Sequence, residues 1–187
     1  DTYIGRAMME PEETTIAEVL APAGYRTGIF GKWHLGDSYP MRPQDQGFQE
    51  VLVHRGGGIG QPSDPPEGAD KYTDPVLFHN GEQKQMKGYC TDIYFDHAMK
   101  FIEQNEEQDK PTFIYLATNA PHGPFHDVPE DLRQKYDAID LNDAYGFELN
   151  PKRKNAKLFD DTARIFSMIE NIDQNIGKLF QHLKKIG

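Results

Sequence analysis

The sequence predicts an α/β protein in which helices flank a mostly parallel central sheet. Strand-like apolar runs alternate along the chain with amphipathic helical segments, which is the order typical of α/β layers. The run TFIYLA, residues 112–117, has the length and near-continuous apolar character of a strand buried on both faces. The last helical segment carries apolar residues at spacings of three and four, as a helix packed on a sheet does.

In the first half of the chain, turn and capping signals separate the elements. Thr15 with Glu18 forms a capping-box pattern, which predicts the start of the first helix. Residues 27–32 then predict a short strand, and residues 37–75 are so rich in Gly and Pro that they predict a long loop. Asn80–Gly81 lies between two extended segments and predicts a hairpin with a type I′ turn.

The second half contains two predicted helices around the apolar strand. The first begins near Thr91 or Asp92, and a Pro-rich loop follows the strand 112–117. Residues 127–157 are polar and irregular, with a short helix predicted at PEDLRQKY. The last helix spans residues 160–185. Its apolar stripe is predicted to face a sheet and comprises Phe166, Ile169, Ile172, Ile176, Leu179, Phe180 and Leu183.

The charge balance disfavours two classes of partner, nucleic acids and anionic membranes. The 187 residues include 20 Lys and Arg against 30 Asp and Glu, which gives a net charge of −10. This charge disfavours a general nucleic-acid binder, which needs a basic face, and it also disfavours binding to anionic membrane surfaces. A small anionic substrate is still allowed, because a few basic groups in one pocket can reverse the local field. The single cysteine, Cys90, excludes an internal disulfide and a cysteine-built metal site.

Lys32 and His34 are the first candidate site residues. They lie two residues apart after a predicted strand, so a continuing strand would direct both side chains to one side. The carboxyl ends of strands in open α/β sheets are where ligands bind. An ammonium and an imidazole together suit a sulfate or phosphate group, with Trp33 packing on the opposite side. The alternative is a solvated lysine at a strand end followed by a loop histidine.

His122 is the second candidate and follows the other apolar strand. Pro121 and Pro124 frame it and would stiffen the loop that presents the imidazole. A histidine held there could act as a general acid at a leaving oxygen. His126 is separated from it by Pro124, so the two do not form a helical zinc-binding pair. No cluster of carboxylates has metal-ligand spacing, so we expect no metal site within this chain.

Two stretches resemble the type I sulfatase family. AGYRTGIFGKWHLG is similar to its second signature at Gly24, Tyr25, Thr27, Gly31, Lys32 and His34. PTFIYLATNAPHGP resembles the family's later strand and histidine loop, and the likeness covers roughly residues 13–183. The resemblance implies an alkaline-phosphatase-like α/β/α sandwich. It also implies hydrolysis of a sulfate ester at a formylglycine beside a calcium ion, in a protein that is commonly exported or lysosomal.

The resemblance also implies roles for individual residues. Lys32 would bind the sulfate and the formylglycine oxygens, and His34 would hydrogen-bond the formylglycine hydroxyl. His122 would contact the sulfate and protonate or stabilise the leaving oxygen. His54 or Arg55, at the start of the glycine-rich stretch RGGGIGQ, could reach the sugar or aryl part of the substrate. The alternative for that stretch is a mobile glycine loop with no such role.

The chain departs from the family pattern in one important respect. The first signature, Cys/Ser-x-Pro-Ser-Arg, is absent, and Cys90 lies in an unrelated setting, GYCTDIY. We therefore expect residues 1–187 to be the central portion of a sulfatase catalytic domain, incomplete at both ends and inactive alone. Calcium and the formylglycine would come from other parts of the parent protein.

Two other functions are compatible with the same residues. A phosphate or phosphonate ester hydrolase of the alkaline phosphatase superfamily also needs cationic groups around a tetrahedral anion. A non-catalytic, sulfatase-like binding domain would keep the fold without the chemistry. An aryl or carbohydrate sulfate is the substrate that the leading hypothesis implies.

Overall fold

Five strands and four α-helices make up the part of the chain that the computed structural model describes, which is residues 8–61, 63–65, 71–106, 108–141 and 156–187. In chain order they are α1 (Ile16–Leu20), β1 (Arg26–Lys32), β2 (Glu50–His54), β3 (Val76–His79), β4 (Glu82–Gln85), α2 (Cys90–Glu106), β5 (Thr112–Ala117), α3 (Glu130–Asp137) and α4 (Ala156–Ile186). A short 3-10 helix, Pro43–Asp45, precedes β2. Parts of the two predicted loops, at 66–70 and 142–155, lie outside the described residues.

The strands form one mixed sheet in the order β4-β3-β2-β1-β5. The three strands β2, β1 and β5 are parallel, and the β3–β4 hairpin extends the sheet with antiparallel pairs. The α/β class is therefore confirmed, and the predicted mostly parallel sheet is parallel in its three neighbouring strands only. Because these strands run the same way, their carboxyl ends lie at one edge of the sheet.

The prediction of an unbroken loop over residues 37–75 is wrong, because β2 lies within it. Five residues, EVLVH, form this strand, and they pair in parallel register with Gly28–Lys32 of β1. The flanking Pro- and Gly-rich segments concealed so short a run. Its pairing is also with a strand distant in sequence, which local patterns do not reveal.

The local signals at two other elements are confirmed. Thr15 Oγ1 accepts from the backbone N–H of Glu18 at 3.1 Å, and the Glu18 carboxylate accepts from the Thr15 N–H at 2.8 Å, which completes the capping box. In the β3–β4 hairpin, Asn80 and Gly81 have φ of 50° and 91°. Two successive positive φ angles are what the type I′ turn requires.

Both faces of the sheet are buried at β1 and β2, whereas β4 is exposed. The prediction that residues 112–117 are buried on both faces is wrong, because β5 is an edge strand of the described sheet and its Tyr115 is 47% exposed. Phe30 and Leu52 face α2 and α4, where they join the larger hydrophobic cluster with Tyr94 and Met168. On the other face, Ile29 and the neighbouring β2 valines pack with Ala17 of α1 and with Trp33. Alternate residues of β1 and β2 therefore serve two cores, which explains their near-continuous apolar sequence.

The last helix packs differently from its predicted stripe. Four stripe residues are more than one third exposed: Ile169, Ile176, Phe180 and Leu183. The buried side includes Met168 and two asparagines, Asn171 and Asn175, whose amide groups donate to Asp92 Oδ1 at 2.9 and 2.6 Å. Because the buried side of α4 includes two asparagines whose amide groups donate to a carboxylate, apolar spacing alone did not identify that side, although Ile172 of the predicted stripe packs against the larger cluster. Within the described ranges, no helix combines the length and the apolar character that crossing a membrane requires.

Gly31 lies where β1 and β5 approach most closely. Its φ is +132°, and a Cβ at this position would lie 1.9 Å from the carbonyl oxygen of Ala117. We expect Gly31→Ala to separate the two strands and to lower the free energy of unfolding by about 3 kcal/mol or more, as measured by urea denaturation.

Gly177→Ala is the matched control for that substitution. Nothing lies within 4 Å of a Cβ at Gly177, which is inside α4. We expect this change to stabilise the protein by ~0.5–1 kcal/mol, because alanine is the better helix former. Similar losses from the two substitutions would contradict the close approach of β1 and β5.

Candidate active site

Three parallel strands end at the site. Lys32 closes β1 and is in register with His54, which closes β2. β5 ends at Ala117, opposite Gly31, and the loop that follows carries His122. The segment after β2, residues 56–60 with the sequence GGGIG, crosses the same edge, and we call it the glycine loop.

Lys32 is held against the glycine loop. Its Nζ donates to the carbonyl oxygen of Gly57 at 2.5 Å. Burial lowers the pKa of this ammonium group from its ordinary value. An ammonium has three N–H donors, so two are left for an anion once the Gly57 carbonyl is satisfied.

His34 reaches the site by a route that strand alternation did not predict. β1 ends at Lys32, and His34 has a φ of 65°, so the backbone has left the extended conformation. Its N–H donates to the carbonyl of Arg55 at 3.2 Å. The ring lies against the glycine loop, because a Cβ at Gly57 would be 2.6 Å from His34 Cε1 and 2.8 Å from Nε2.

Trp33 packs on the opposite side, as predicted. Its side chain is 6% exposed, and its Nε1–H donates to the carbonyl of Met41 at 2.8 Å. The ring also makes an edge contact with Phe48, with centroids 5.9 Å apart. These contacts hold the segment between Lys32 and His34 in place.

The imidazole of His34 is kept mainly neutral at neutral pH. Burial lowers its pKa most, the charge of Lys32 lowers it further, and His122 acts in the same direction. Its Nε2 is buried and has no hydrogen-bond partner among the described residues. A buried polar atom without a partner is costly, so it is a natural contact for a bound group.

His122 presents its ring at the surface of the same edge. Its Nδ1 lies 2.7 Å from the carbonyl oxygen of Gly123, and a carbonyl only accepts, so Nδ1 carries a proton. Nε2 is then the nitrogen that can exchange a proton with a ligand. A Cβ at Gly58 would lie 2.8 Å from His122 Cε1, so adjacent glycines separate the rings of His122 and His34. We call Lys32, His34 and His122 the basic cluster.

The glycine loop is anchored at several points. The N–H of Gly57 donates to Gln61 Oε1 at 2.7 Å, and Asp64 Oδ1 accepts from the N–H of Arg55 at 3.0 Å. Ile59 is buried in the larger hydrophobic cluster. Glycine is needed at the two positions that contact histidine rings, because a side chain there would displace them.

His54 and Arg55, which were both predicted to reach the sugar or aryl part of the substrate, differ in burial. His54 is 2% exposed, so it lies beneath the surface that a sugar or aryl group would touch. Its Nδ1 is 3.2 Å from the Tyr94 hydroxyl, and burial followed by the charge of Lys32 lowers its pKa to about 3. The half-buried Arg55 places its guanidinium 3.5 Å over the Phe78 ring.

Several residues near the basic cluster escaped the sequence analysis. Tyr72 and Asn119 are buried next to the His122 loop, and Gln61 and Asp64 hold the glycine loop. Asn119 lies two residues after β5, in the loop that carries the candidate His122, which is a usable signal. The other three lie in segments of loop-like composition and gave no local signal.

The whole chain can be compared with known protein families. The sulfatase family profile matches residues 9–187. The chain belongs to the sulfatase family. Among sulfatase relatives, it is 27% identical to an arylsulfatase of Klebsiella aerogenes over 205 residues, which covers 93% of this chain and 44% of that protein. It is 32% identical to N-acetylglucosamine-6-O-sulfatase of Bacteroides thetaiotaomicron over 121 residues, which covers 65% of this chain and 19% of the relative.

Solved structures share the fold of this chain. The crystal structure of Ps i-CgsB in complex with k-i-k-neocarrahexaose matches with a TM-score of 0.71 and 27% identity, covering 95% of this chain and 38% of that one. This likeness confirms the alkaline-phosphatase-like α/β fold class. The chain therefore spans less than half the length of the sulfatases that it matches.

The lowered pKa of His54 predicts a pH dependence of stability. The unfolded ring binds a proton near pH 6.5 and the folded ring only near pH 3, so the unfolded state holds more protons between these values. Stability is therefore complete above about pH 6.5, and this group removes about 1.4 kcal/mol for each pH unit below it. We expect His54→Gln to flatten this slope in urea denaturation at pH 4–7. An equally steep slope in His54→Gln would contradict the assignment.

Proposed function

We propose that the complete protein hydrolyses sulfate esters and that residues 1–187 are the central portion of its catalytic domain. The observation that carries the proposal is the basic cluster, in which Lys32, His34 and His122 meet around the glycine loop. Membership of the sulfatase family supports the same chemistry. By itself the chain would hold part of the machinery and would be inactive.

Lys32 would bind the sulfate group. Its two remaining N–H donors would face the sulfate oxygens, and its charge would oppose the negative charge that grows on them during the reaction. The Gly57 carbonyl holds the ammonium in place beforehand, so little reorganisation is needed when the substrate binds. In this way Lys32 stabilises the transition state more than the bound substrate.

His122 would act on the leaving oxygen. In its protonated form, Nε2 would donate a proton to the bridging ester oxygen while the bond from that oxygen to sulfur breaks. The electron pair of the bond then remains on an oxygen that leaves as an alcohol or phenol. The hydrogen bond from Nδ1 to Gly123 keeps Nε2 as the reacting nitrogen.

The family implies a formylglycine and a calcium ion, which would supply a nucleophilic hydroxyl and positive charge at the sulfate. Within the described ranges, no group of three or more His, Cys, Asp or Glu side chains could hold a metal ion. We therefore propose that both groups come from other parts of the protein. The unpartnered Nε2 of His34 fits a hydrogen bond to the formylglycine hydroxyl, and its neutral state would let it accept or share that proton.

We propose an aryl or carbohydrate sulfate as the substrate. The relatives support this class, since one is named an arylsulfatase and another an N-acetylglucosamine-6-O-sulfatase. Arg55 follows β2 beside the glycine loop, and its partly exposed side chain would contact the sugar or aryl part. The buried His54 would act from beneath the site, without touching the substrate.

The direct test is sulfate release by the complete protein from 4-nitrophenyl sulfate. We expect Lys32→Ala to lower kcat by about 10²-fold or more, because the charge opposite the growing negative charge is lost. Replacing the exposed Lys87 by Ala controls for the loss of one positive charge and should leave kcat unchanged. Unchanged turnover in Lys32→Ala would remove this residue from the mechanism.

The same assay separates the proposal from its alternatives. A sulfatase releases sulfate from 4-nitrophenyl sulfate with a higher kcat/KM than it releases phosphate from 4-nitrophenyl phosphate. The reverse order would identify a phosphate ester hydrolase. Tight sulfate-ester binding without turnover would identify a non-catalytic binding domain.

A further inference from the structure

A chain of buried polar side chains lies beneath the basic cluster. His54 Nδ1 is 3.2 Å from the hydroxyl of Tyr94, on α2. The side-chain amide of Asn119 donates to the hydroxyl of Tyr72, and that hydroxyl donates to the backbone carbonyl of His122 at 2.6 Å. The side chains of His54, Tyr72, Tyr94 and Asn119 are almost completely buried, so water does not substitute for these contacts.

The direction of each hydrogen bond follows from the atoms involved. The His122 carbonyl only accepts, so the Tyr72 hydroxyl uses its proton there and accepts from the Asn119 NH₂ group. The amide oxygen of Asn119 then faces away from Tyr72. That oxygen and His54 Nε2 are both buried without another partner among the described residues. The Asn119 side chain acts to raise the pKa of His54, against the larger lowering effect of burial.

Asn119 and Tyr72 hold both backbone polar groups of His122. The N–H of His122 donates to the backbone carbonyl of Asn119 at 3.0 Å, and the backbone carbonyl of His122 accepts from the Tyr72 hydroxyl. The far end of the same loop is tied to the Tyr72 segment, because the Asp127 carboxylate accepts from the N–H groups of Tyr72 and Thr73 at 2.7 Å each. The exposed imidazole of His122 thus stands on a backbone fixed from below.

We propose that Tyr72 and Asn119 are positioning residues that fix the backbone of His122 and so aim its Nε2 at the leaving oxygen. The assignment rests on the proposed function of His122 as the proton donor. A displacement of about 1 Å of such a group is enough to cost about 10²-fold in rate. Removing the Tyr72 hydroxyl leaves both the His122 carbonyl and the Asn119 amide without their partner, so the loop is free to shift.

The test compares Tyr72→Phe with wild type in the complete protein, using two substrates that differ in leaving group. General-acid assistance matters more when the leaving oxygen is more basic, so phenyl sulfate depends on it more than 4-nitrophenyl sulfate does. We expect kcat to fall about 10-fold for 4-nitrophenyl sulfate and about 10²-fold for phenyl sulfate, with KM changed less than about 3-fold. His122→Ala should also lower kcat more for phenyl sulfate than for 4-nitrophenyl sulfate.

Tyr89→Phe is the matched control. The Tyr89 ring stacks on that of Tyr72 with centroids 5.6 Å apart, and its buried hydroxyl has no hydrogen-bond partner among the described residues. Tyr89→Phe therefore removes a hydroxyl from the same aromatic stack without breaking a hydrogen bond to His122 or Asn119. We expect kcat to be unchanged for both substrates. Asn119→Ala is a second variant that leaves the stack intact, and it should repeat the leaving-group dependence of Tyr72→Phe.

A second readout separates this inference from the proposed function. In protein labelled with ¹³Cε1 histidine, the His122 resonance should shift in Tyr72→Phe and stay in place in Tyr89→Phe, whether or not the protein hydrolyses sulfate esters. An inactive wild type with this pattern would overturn the proposed function and support the positioning of His122. An unchanged His122 resonance, or an equal fall in kcat for both substrates accompanied by a lower melting temperature, would overturn the positioning role.

Discussion

The parallel pairing of β1 with β2 and β5 determines where each group of the site lies. Lys32 and His54 are register partners at two strand ends, and the third strand delivers the His122 loop to the same edge. The pairing of β1 with β5 depends on Gly31, because the absence of a side chain there lets the backbones of these two strands approach each other. The signature glycine before Lys32 is therefore a requirement of sheet packing, which in turn positions the ammonium group.

Bringing basic groups this close creates an electrostatic problem that burial resolves. Lys32, His34 and His122 would repel one another if all were charged, and His54 lies beneath them. Burial and the charge of Lys32 lower the pKa of both His34 and His54. The rings of His34 and His54 are thereby kept neutral, so they act through hydrogen bonds, and Lys32 carries the positive charge that an anion would meet. The same burial makes the hydrogen bonds beneath His122 directional and costly to lose.

The sequence correctly predicted the elements that depend on interactions between neighbouring residues. The capping box at Thr15, the Asn80–Gly81 turn and strand β1 needed only neighbouring residues, and all three are confirmed. β2 was missed because its pairing with β1 is distant in sequence. The face of α4 was misjudged because Asp92 satisfies two asparagines that pattern analysis treats as surface residues.

The candidate site also contains residues that local sequence predicted and residues that it did not. Lys32, His34 and His122 were predicted as site residues from their positions after two strands and from the family resemblance. The structure brings all three to one edge of the sheet, although His34 has a left-handed backbone conformation and does not arrive there by strand alternation. The roles of Tyr72, Tyr94 and Asn119 depend on contacts between residues about 40 to 50 positions apart, which a single sequence does not display.

The central claim is that one tetrahedral anion is bound jointly by the basic cluster. A crystal structure of the complete protein with sulfate or orthovanadate tests it most directly. We predict an anion with oxygens about 3 Å from Lys32 Nζ, His34 Nε2 and His122 Nε2. An anion bound elsewhere, or a His122 ring turned away from the other two by more than the width of a sulfate, would contradict the account.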